Sequence, residues 1–348
     1  MTDTPQPPPG TGLPWPARPD AAVQKPRRRR SVWAILATIF LVLSVVGNLV
    51  LMVAVIGLVA VMGGTGGIEE GLLERTVEKG PHDSKIVVIH IDGFIDEYMV
   101  ESVRAQVDRA ARDSAVRAVI LRIDSPGGGL TASDMIHHEV REQLTKCGKP
   151  VVAAMDGVAA SGGYYIACSA DKIVAQTTTI TGSIGIIAQF FYLQGLLKDK
   201  LGVVPVTLTI GERKGWPNMF DLGMTEEQRT YFMETLLRPG YDRFVDVVTE
   251  SRRMKREDVL KLATGRIYMG PEARQTGLVD EVGYFERAVE IARDRAGVSE
   301  ARVVEYVRPF SLSTLLGLTA KTPSVLDLRP ERLAEMASPR VMYLWTGF

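Results

Sequence analysis

The sequence predicts an α/β fold with a mostly parallel sheet, and three observations support it. Two short and nearly continuous apolar runs, "KIVVIHIDGFI" at 85–95 and "AVRAVILRID" at 115–124, are typical of strands covered on both faces. Between them, Glu97 to Arg112 places apolar residues at helical spacing, which completes a βαβ unit. The alternation then repeats, with a helix after the "SPGGG" loop and a third strand in "VVAAM" at 151–155.

The later elements follow the same alternation. A short helix is predicted at Ser161, and a long helix from Met224 to Arg253 with a kink or break at Pro239-Gly240. No element is predicted beyond Arg308, where the periodicity is weak. The remaining predicted strands are "DKIVA" at 171–175, "TGSIGII" at 181–187 and "VVPVTLTI" at 203–210, and the remaining helices are 193–200, 256–264, 271–277 and 285–296.

The N-terminal part predicts a membrane anchor. No charged residue occurs from Ser31 to Ile68, and the apolar run from Val32 to Met62 exceeds the ~20 residues that a membrane helix needs. The arginines before it predict a single pass through the cell membrane, with the N-terminus in the cytoplasm and the bulk of the protein outside. The predicted segments are a disordered tail at 1–30, the anchor at 31–66, a linker at 67–84, a catalytic domain at 85–300 and a C-terminal extension at 301–348.

The overall composition excludes several classes of protein. Among 348 residues the formal net charge is +0, so no global field predicts a nucleic-acid partner. Cys147 and Cys168 lack the spacing of metal ligands, and neither a phosphate-loop motif nor a dinucleotide motif occurs. These observations therefore favour neither a cysteine metal site nor a nucleotide-binding loop.

Two glycine-rich stretches each follow a predicted strand. They are "DSPGGG" at 124–129 and "SGGYY" at 161–165. The N–H groups of Gly162 and Gly128 could together form an oxyanion hole, since glycine lets the backbone approach a ligand closely. Each stretch taken alone also fits an ordinary strand-to-helix turn, in which Ser161 would only cap a helix.

A nucleophilic Ser161 would need a base. The four histidines lie upstream, at 82, 90, 137 and 138, and none lies in a loop of the kind that usually presents a base, although a triad with one of them stays open. Lys214 in "TIGERKGWPNMF" is the alternative, because neighbouring apolar side chains could lower the pKa of its amine. Ser183 could then orient that amine.

From about Lys85 to Ala296 the sequence resembles the signal peptide peptidase A family, membrane-anchored serine-lysine peptidases with a Clp protease-like (crotonase-like) fold. The resemblance implies that Ser161 is the nucleophile, Lys214 the general base, Ser183 the hydroxyl that positions the lysine, and Gly128 with Gly162 the oxyanion donors. The blocks that carry the resemblance, in the family's order, are "LRIDSPGGG", "MDGVAASGGYYIACSADKIVA", "TGSIGII" and "GRIYMGPEARQTGLVDEVG".

The resemblance also implies a function and an assembly. It implies hydrolysis of signal-peptide-like substrates through an acyl-enzyme, without metal or cofactor, in a ring-like homo-oligomer on the membrane. With no internal repeat, the chain resembles the short form of the family, in which neighbouring subunits supply the serine and the lysine. Two alternatives stay open: an acyl-coenzyme A enzyme that uses the same glycines, and a membrane scaffold without catalysis.

Overall fold

The computed structural model describes residues 32–62, 71–307 and 340–346. The predicted tail at 1–30, the start of the predicted linker and most of the predicted C-terminal extension lie outside these ranges. The chain divides into two compact units after Thr65.

The first unit contains one long helix, α1 (Val32–Met62), of 31 residues. Its segment Ile35–Ala54 has a mean hydropathy of 2.5, so by length and composition this helix could cross a membrane. At a rise of about 1.5 Å per residue, it is longer than the hydrocarbon core of a bilayer, about 30 Å.

The second unit is built on one sheet. The described strands form an eleven-stranded sheet whose main path runs β1-β10-β2-β3-β4-β5-β9, and most of its neighbours are parallel. The strands are β1 (Leu73–Glu78), β2 (Lys85–Ile95), β3 (Val116–Gly129), β4 (Val151–Ala160), β5 (Lys172–Ala175), β6 (Ile180–Gly182), β7 (Ile187–Gln189), β8 (Ile267–Met269), β9 (Glu281–Val282), β10 (Arg302–Val307) and β11 (Arg340–Leu344).

Helices cover both faces of this sheet. They are α2 (Glu97–Arg112), α3 (Leu130–Val140), α4 (Gly162–Ala167), α5 (Glu226–Phe232), α6 (Arg238–Arg252), α7 (Arg256–Leu262), α8 (Gly270–Gln275) and α9 (Phe285–Ala296). Short π-helical turns lie at Arg141–Thr145, Leu196–Lys200 and Met233–Leu237.

The central strands are buried on both faces, as their continuous apolar runs predict. Alternate side chains of β2, such as Val87 and Ile89, pack into the larger core under α2, α3, α4 and α6. The intervening ones, Ile86 and Val88, pack into a smaller core against α9. This double cover confirms the α/β architecture with a mostly parallel sheet.

Several local predictions differ from the structure. The strand predicted at 203–210 is wrong, because these residues form no strand. The triple glycine predicted as a loop is the end of β3. Pro239-Gly240 does not break the helix, since Pro239 lies in the first turn of α6, where a missing N–H costs little, directly after a π-helical turn.

Candidate active site

Ser161 lies on a sharp turn between β4 and α4. Its backbone has φ 54 and ψ −114, a conformation that few residues other than glycine adopt. The turn is held on both sides, because the Ser161 N–H donates to the carbonyl of Gly182 at 2.8 Å and the N–H of Tyr165 donates to the Ser161 carbonyl at 2.8 Å. Strain maintained in this way by the surrounding structure is typical of functional sites.

The Ser161 hydroxyl does not cap the helix that follows it. Although the residue occupies the N-cap position of α4, its side chain accepts no capping hydrogen bond. The helix-cap interpretation therefore fails, even though the side chain is only 1% exposed.

Ser183 lies beside Ser161 at the same edge of the sheet. The parallel strands β4 and β6 pair Ala160 with Gly182, which are the last residues of the two strands. Ser161 and Ser183 directly follow them and therefore occupy neighbouring positions. The backbone of Ser183 is also in the left-handed region, at φ 49, and its N–H donates to the carbonyl of Arg266 at 2.8 Å. The structure thus brings these two predicted residues together.

The two glycine-rich stretches converge next to Ser161. A Cβ atom on Gly127, where φ is +105, would lie 2.1 Å from the carbonyl oxygen of Tyr343 and 2.8 Å from the amide nitrogen of Gly162. Gly127 donates its own N–H to the hydroxyl of Ser125 at 3.1 Å, whereas Gly128 pairs with Tyr343 of β11. Only glycine allows the backbones to approach this closely.

Lys214 lies apart from these residues in the single chain. Its side chain is exposed on an irregular loop, and its backbone N–H donates to the carbonyl of Gly211 at 3.1 Å. The rings of Trp216 and Tyr231 contact the guanidinium of Arg213 instead, at 5.5 Å and 4.9 Å. Among the described residues no hydrogen bond joins Lys214 to either serine, and its role stays a prediction.

Comparisons with known proteins place the chain in a family. A model described as Peptidase family S49 matches residues 143–299, and one described as Clp protease matches residues 83–181. An Enterococcus faecium protein that carries the name signal peptide peptidase SppA is 34% identical over 297 residues, which are 79% of this chain and 85% of that protein. The chain belongs to peptidase family S49.

Two further relatives are longer than this chain. Protease 4 of Haemophilus influenzae is 39% identical over 216 residues, which are 60% of this chain and 34% of that protein. The chloroplastic serine protease SPPA of Arabidopsis thaliana is 35% identical over 219 residues, which are 62% of this chain and 31% of that protein. The chain is thus a serine-type peptidase with a Clp protease-like domain. These relatives favour neither of the two alternatives, the acyl-coenzyme A enzyme and the membrane scaffold without catalysis.

Two of the histidines of this S49 peptidase, His90 and His137, are engaged elsewhere. His90 lies on β2 with its Nε2 atom 3.1 Å from a carboxylate oxygen of Glu305. His137 packs edge-on against the ring of Tyr165 at 5.2 Å, and burial, followed by the positive charge of Arg141, lowers its pKa to about 4. No hydrogen bond joins a histidine to Ser161 in the part of the chain that the structure describes, so the geometry offers no triad.

The S49 site includes an aromatic cluster that the sequence analysis did not identify. The ring of Tyr165 on α4 lies 5.1 Å from both Phe244 on α6 and Tyr343 on β11. The Tyr165 hydroxyl donates to Asp134, to which Arg243 also donates at 3.2 Å. Only the double tyrosine that follows Ser161-Gly162-Gly163 could have indicated this cluster, because its other members are distant in sequence.

Proposed function

We propose that this peptidase is a membrane-anchored endopeptidase in which Ser161 attacks the substrate carbonyl and Lys214 removes the serine proton. The observation that carries the proposal is the held turn at Ser161, with a hydroxyl not used as a cap beside two convergent glycine stretches. A serine hydroxyl is a weak nucleophile at neutral pH, so a base must accept its proton during attack.

The reaction proceeds in two steps through an ester on Ser161. In the first, the serine oxygen bonds to the peptide carbonyl carbon, the Lys214 amine takes the hydroxyl proton, and that proton passes to the leaving amine as the peptide bond breaks. In the second, a water oxygen bonds to the acyl carbon and gives its proton to Lys214, and that proton then passes to the Ser161 oxygen as the bond between this oxygen and the acyl carbon breaks. The N–H groups of Gly128 and Gly162 stabilise the oxyanion in both steps, and the Ser183 hydroxyl orients the lysine amine.

A second chain of the homo-oligomer covers the lysine loop and completes the site. A lysine acts as a base only when desolvation or nearby positive charge lowers the pKa of its amine, and an exposed loop provides neither. The segment before Lys214 also exposes large apolar side chains, with Leu208 91% exposed and Ile210 99% exposed. Contact with a neighbouring subunit in a ring would bury these side chains and bring the lysine to the neighbour's Ser161.

Helix α1 anchors the protein in the cell membrane. Its 31 residues exceed the apolar region of a cleavable signal peptide, roughly 7 to 15 residues. Four arginines at 27–30 place the N-terminus in the cytoplasm and the catalytic unit outside. Apolar peptides released from the membrane, such as cleaved signal peptides, are the substrates that this position favours.

Covalent labelling tests the proposed mechanism directly. A fluorophosphonate probe should label Ser161, and both Ser161→Ala and Lys214→Ala should lower peptide hydrolysis at least a thousandfold without changing the assembly state. Lys200→Ala, which alters an exposed lysine of the same region, is the matched control and should keep full activity. Wild-type turnover by either Ser161→Ala or Lys214→Ala would overturn the proposal.

A further inference from the structure

Strand β3 contains an extra residue where it approaches the candidate site. Across the parallel pair of β2 and β3, the single residue Gly93 lies opposite two residues, Ser125 and Pro126. A bulge of this kind disrupts the regular hydrogen bonds between the strands and redirects the backbone that follows. Pro126 adds to the disruption, because proline has no N–H to donate to β2. The backbone that leads into the triple glycine therefore needs another source of hydrogen bonds.

The Ser125 hydroxyl provides these hydrogen bonds. It donates to the carbonyl of Gly93 at 2.6 Å and accepts a hydrogen bond from the N–H of Gly127 at 3.1 Å. A serine that accepts from the N–H two residues later forms a compact turn, which fixes the plane of the peptide between Pro126 and Gly127. One side chain thus joins β2 to the start of the triple glycine.

Ser125 also lies against the helix that begins after Ser161. It is fully buried, and a Cβ atom built on Gly163, in the first turn of α4, would lie 2.9 Å from the Ser125 carbonyl oxygen. Glycine at position 163 leaves room for this close approach. The contact connects the turn that carries the proposed nucleophile to the strand that carries Gly128.

The triple glycine has little stiffness of its own. Glycine has more conformational freedom than any other residue, and Gly127 has φ +105. The N–H of Gly128 belongs to the peptide directly after Gly127, so its direction depends on the peptide plane that Ser125 fixes. Direction matters for a donor, since hydrogen bonds weaken steeply at angles below about 120°.

We infer that Ser125 is a positioning residue of the oxyanion hole, whose hydroxyl keeps the Gly128 N–H directed at the carbonyl under attack. The inference rests on the proposed roles of Ser161 and Gly128. Because Ser125 is fully buried, it acts through Gly127. Negative charge develops on the substrate oxygen in the transition state, so loss of this positioning slows the chemical step and leaves substrate binding unchanged.

Steady-state kinetics of the full-length protein in detergent test the role of Ser125. With a fluorogenic apolar peptide, Ser125→Ala should lower kcat by about tenfold to a hundredfold and keep KM within about twofold. Ser125→Cys, whose thiol is a weaker hydrogen-bonding group, should give an intermediate kcat, and it provides the comparison with the wild type if Ser125→Ala does not fold.

Ser169→Ala is the matched control for these kinetics. It also removes a buried serine hydroxyl, one that donates to the carbonyl of Ile166 at 2.7 Å and has no bond to the triple glycine. Both of its kinetic constants should stay within about twofold of the wild type. A wild-type kcat in Ser125→Ala, or an equal loss of kcat in Ser169→Ala, would overturn the inference.

A peptide aldehyde measures the oxyanion hole more directly. The Ser161 oxygen bonds to the aldehyde carbon, the serine proton passes to Lys214, and the former carbonyl oxygen becomes an oxyanion between the N–H groups of Gly128 and Gly162. The inhibition constant of Ser125→Ala should therefore rise by the same factor, within about threefold, as its kcat/KM falls. The corresponding peptide alcohol cannot form this adduct and should bind both proteins equally. Equal weakening of the aldehyde and the alcohol, or no weakening of the aldehyde, contradicts the positioning role.

The positioning role and the catalytic proposal fail in different ways. Amide hydrogen exchange requires no activity, and in Ser125→Ala the segment 126–130 should exchange at least about tenfold faster than in Ser169→Ala. Wild-type exchange in this segment removes the positioning role even if Ser161→Ala is inactive. Conversely, wild-type turnover by Ser161→Ala removes the catalytic proposal, whatever the exchange rate of Ser125→Ala.

Discussion

The backbone of Ser161 carries a conformational strain that can be measured. At φ 54 and ψ −114 a residue with a Cβ atom costs about 1 to 3 kcal/mol, and glycine costs much less. Neither Ser161→Gly nor Ser161→Ala has a nucleophile, but we expect Ser161→Gly to have a free energy of unfolding about 1 kcal/mol higher than that of Ser161→Ala. Denaturant titration in detergent measures the difference.

Ser133 provides the control for this comparison, because it is buried in the regular helix α3. There the order should reverse, with Ser133→Gly about 1 kcal/mol less stable than Ser133→Ala, since glycine is unfavourable inside a helix. The same order at both positions would contradict the claim that the turn at Ser161 is strained.

His137 should make the stability depend on pH between its folded and unfolded pKa values. Burial, with the positive charges of Arg141 and Arg243, lowers its pKa to about 4, while an unfolded histidine has a pKa near 6.5. The unfolded state therefore binds a proton first, and the contribution of His137 to stability is complete above pH 6.5 and is lost as the pH falls to 4. The expected loss is on the order of 1 to 3 kcal/mol.

Unfolding titrations across this pH range check the effect of His137. As the pH falls, the free energy of unfolding should decline less steeply for His137→Gln than for the wild type. Carboxylates contribute equally to both proteins, so the difference between the two curves is due to His137. His138→Gln, at an exposed neighbouring position, should keep the wild-type slope. Parallel curves for wild type and His137→Gln would contradict the prediction.

At the scale of a single element, Lys149 holds the end of helix α2. Its Nζ atom donates to the carbonyls of Ala110 at 2.6 Å, Ala111 at 2.9 Å and Asp113 at 2.7 Å, which the helix itself cannot satisfy. Lys149→Met should lower the free energy of unfolding by about 2 kcal/mol, because these hydrogen bonds come from a charged donor. Lys146→Met, which removes only an exposed ion pair, should change it by less than about 0.5 kcal/mol. Equal effects of the two substitutions in chemical denaturation would contradict this role.

The correctly predicted elements are those whose pattern of apolar residues reflects which of their own faces are buried. The run at 85–95 is continuous because both faces of β2 are covered, and the spacing of 97–112 reflects one covered face of α2. The same reasoning failed at 203–210, which is equally apolar but has no strand partner and exposes Leu208 and Ile210. Strand β11 could not be predicted, since its partner Gly127–Gly129 lies some 210 residues earlier and no local pattern specifies that pairing.

For the site, sequence reasoning identified the residues whose backbone is constrained. Glycines at positions of close approach and a serine at a strand end have local signatures, and the structure brings Ser161, Ser183, Gly128 and Gly162 together. Lys214 lies on an exposed loop of the single chain, and no local pattern in the sequence specifies which residues that loop contacts.

At the scale of the whole molecule, the proposed assembly would account both for the exposed apolar segment and for the place of Lys214 on an exposed loop. A chain that leaves Val206, Leu208 and Ile210 more than three-quarters exposed, at 78%, 91% and 99%, gains stability when a second copy covers them. The same contact would desolvate Lys214 at the moment it reaches a serine. Assembly and activity should therefore depend on the same surface.

Mixing two inactive variants tests whether the subunits share sites. A site built from the serine of one chain and the lysine of its neighbour is intact when a Lys214→Ala chain supplies Ser161 and a Ser161→Ala chain supplies Lys214. In an equal and random mixture this arrangement has a probability of about one quarter, so about a quarter of wild-type peptide hydrolysis should return after subunit exchange. Each variant alone gives the background, and differently tagged chains verify that mixed particles form. If mixed particles form but hydrolysis stays at background, each chain builds its site from its own serine and lysine, and the lysine loop must then close over Ser161 within one subunit.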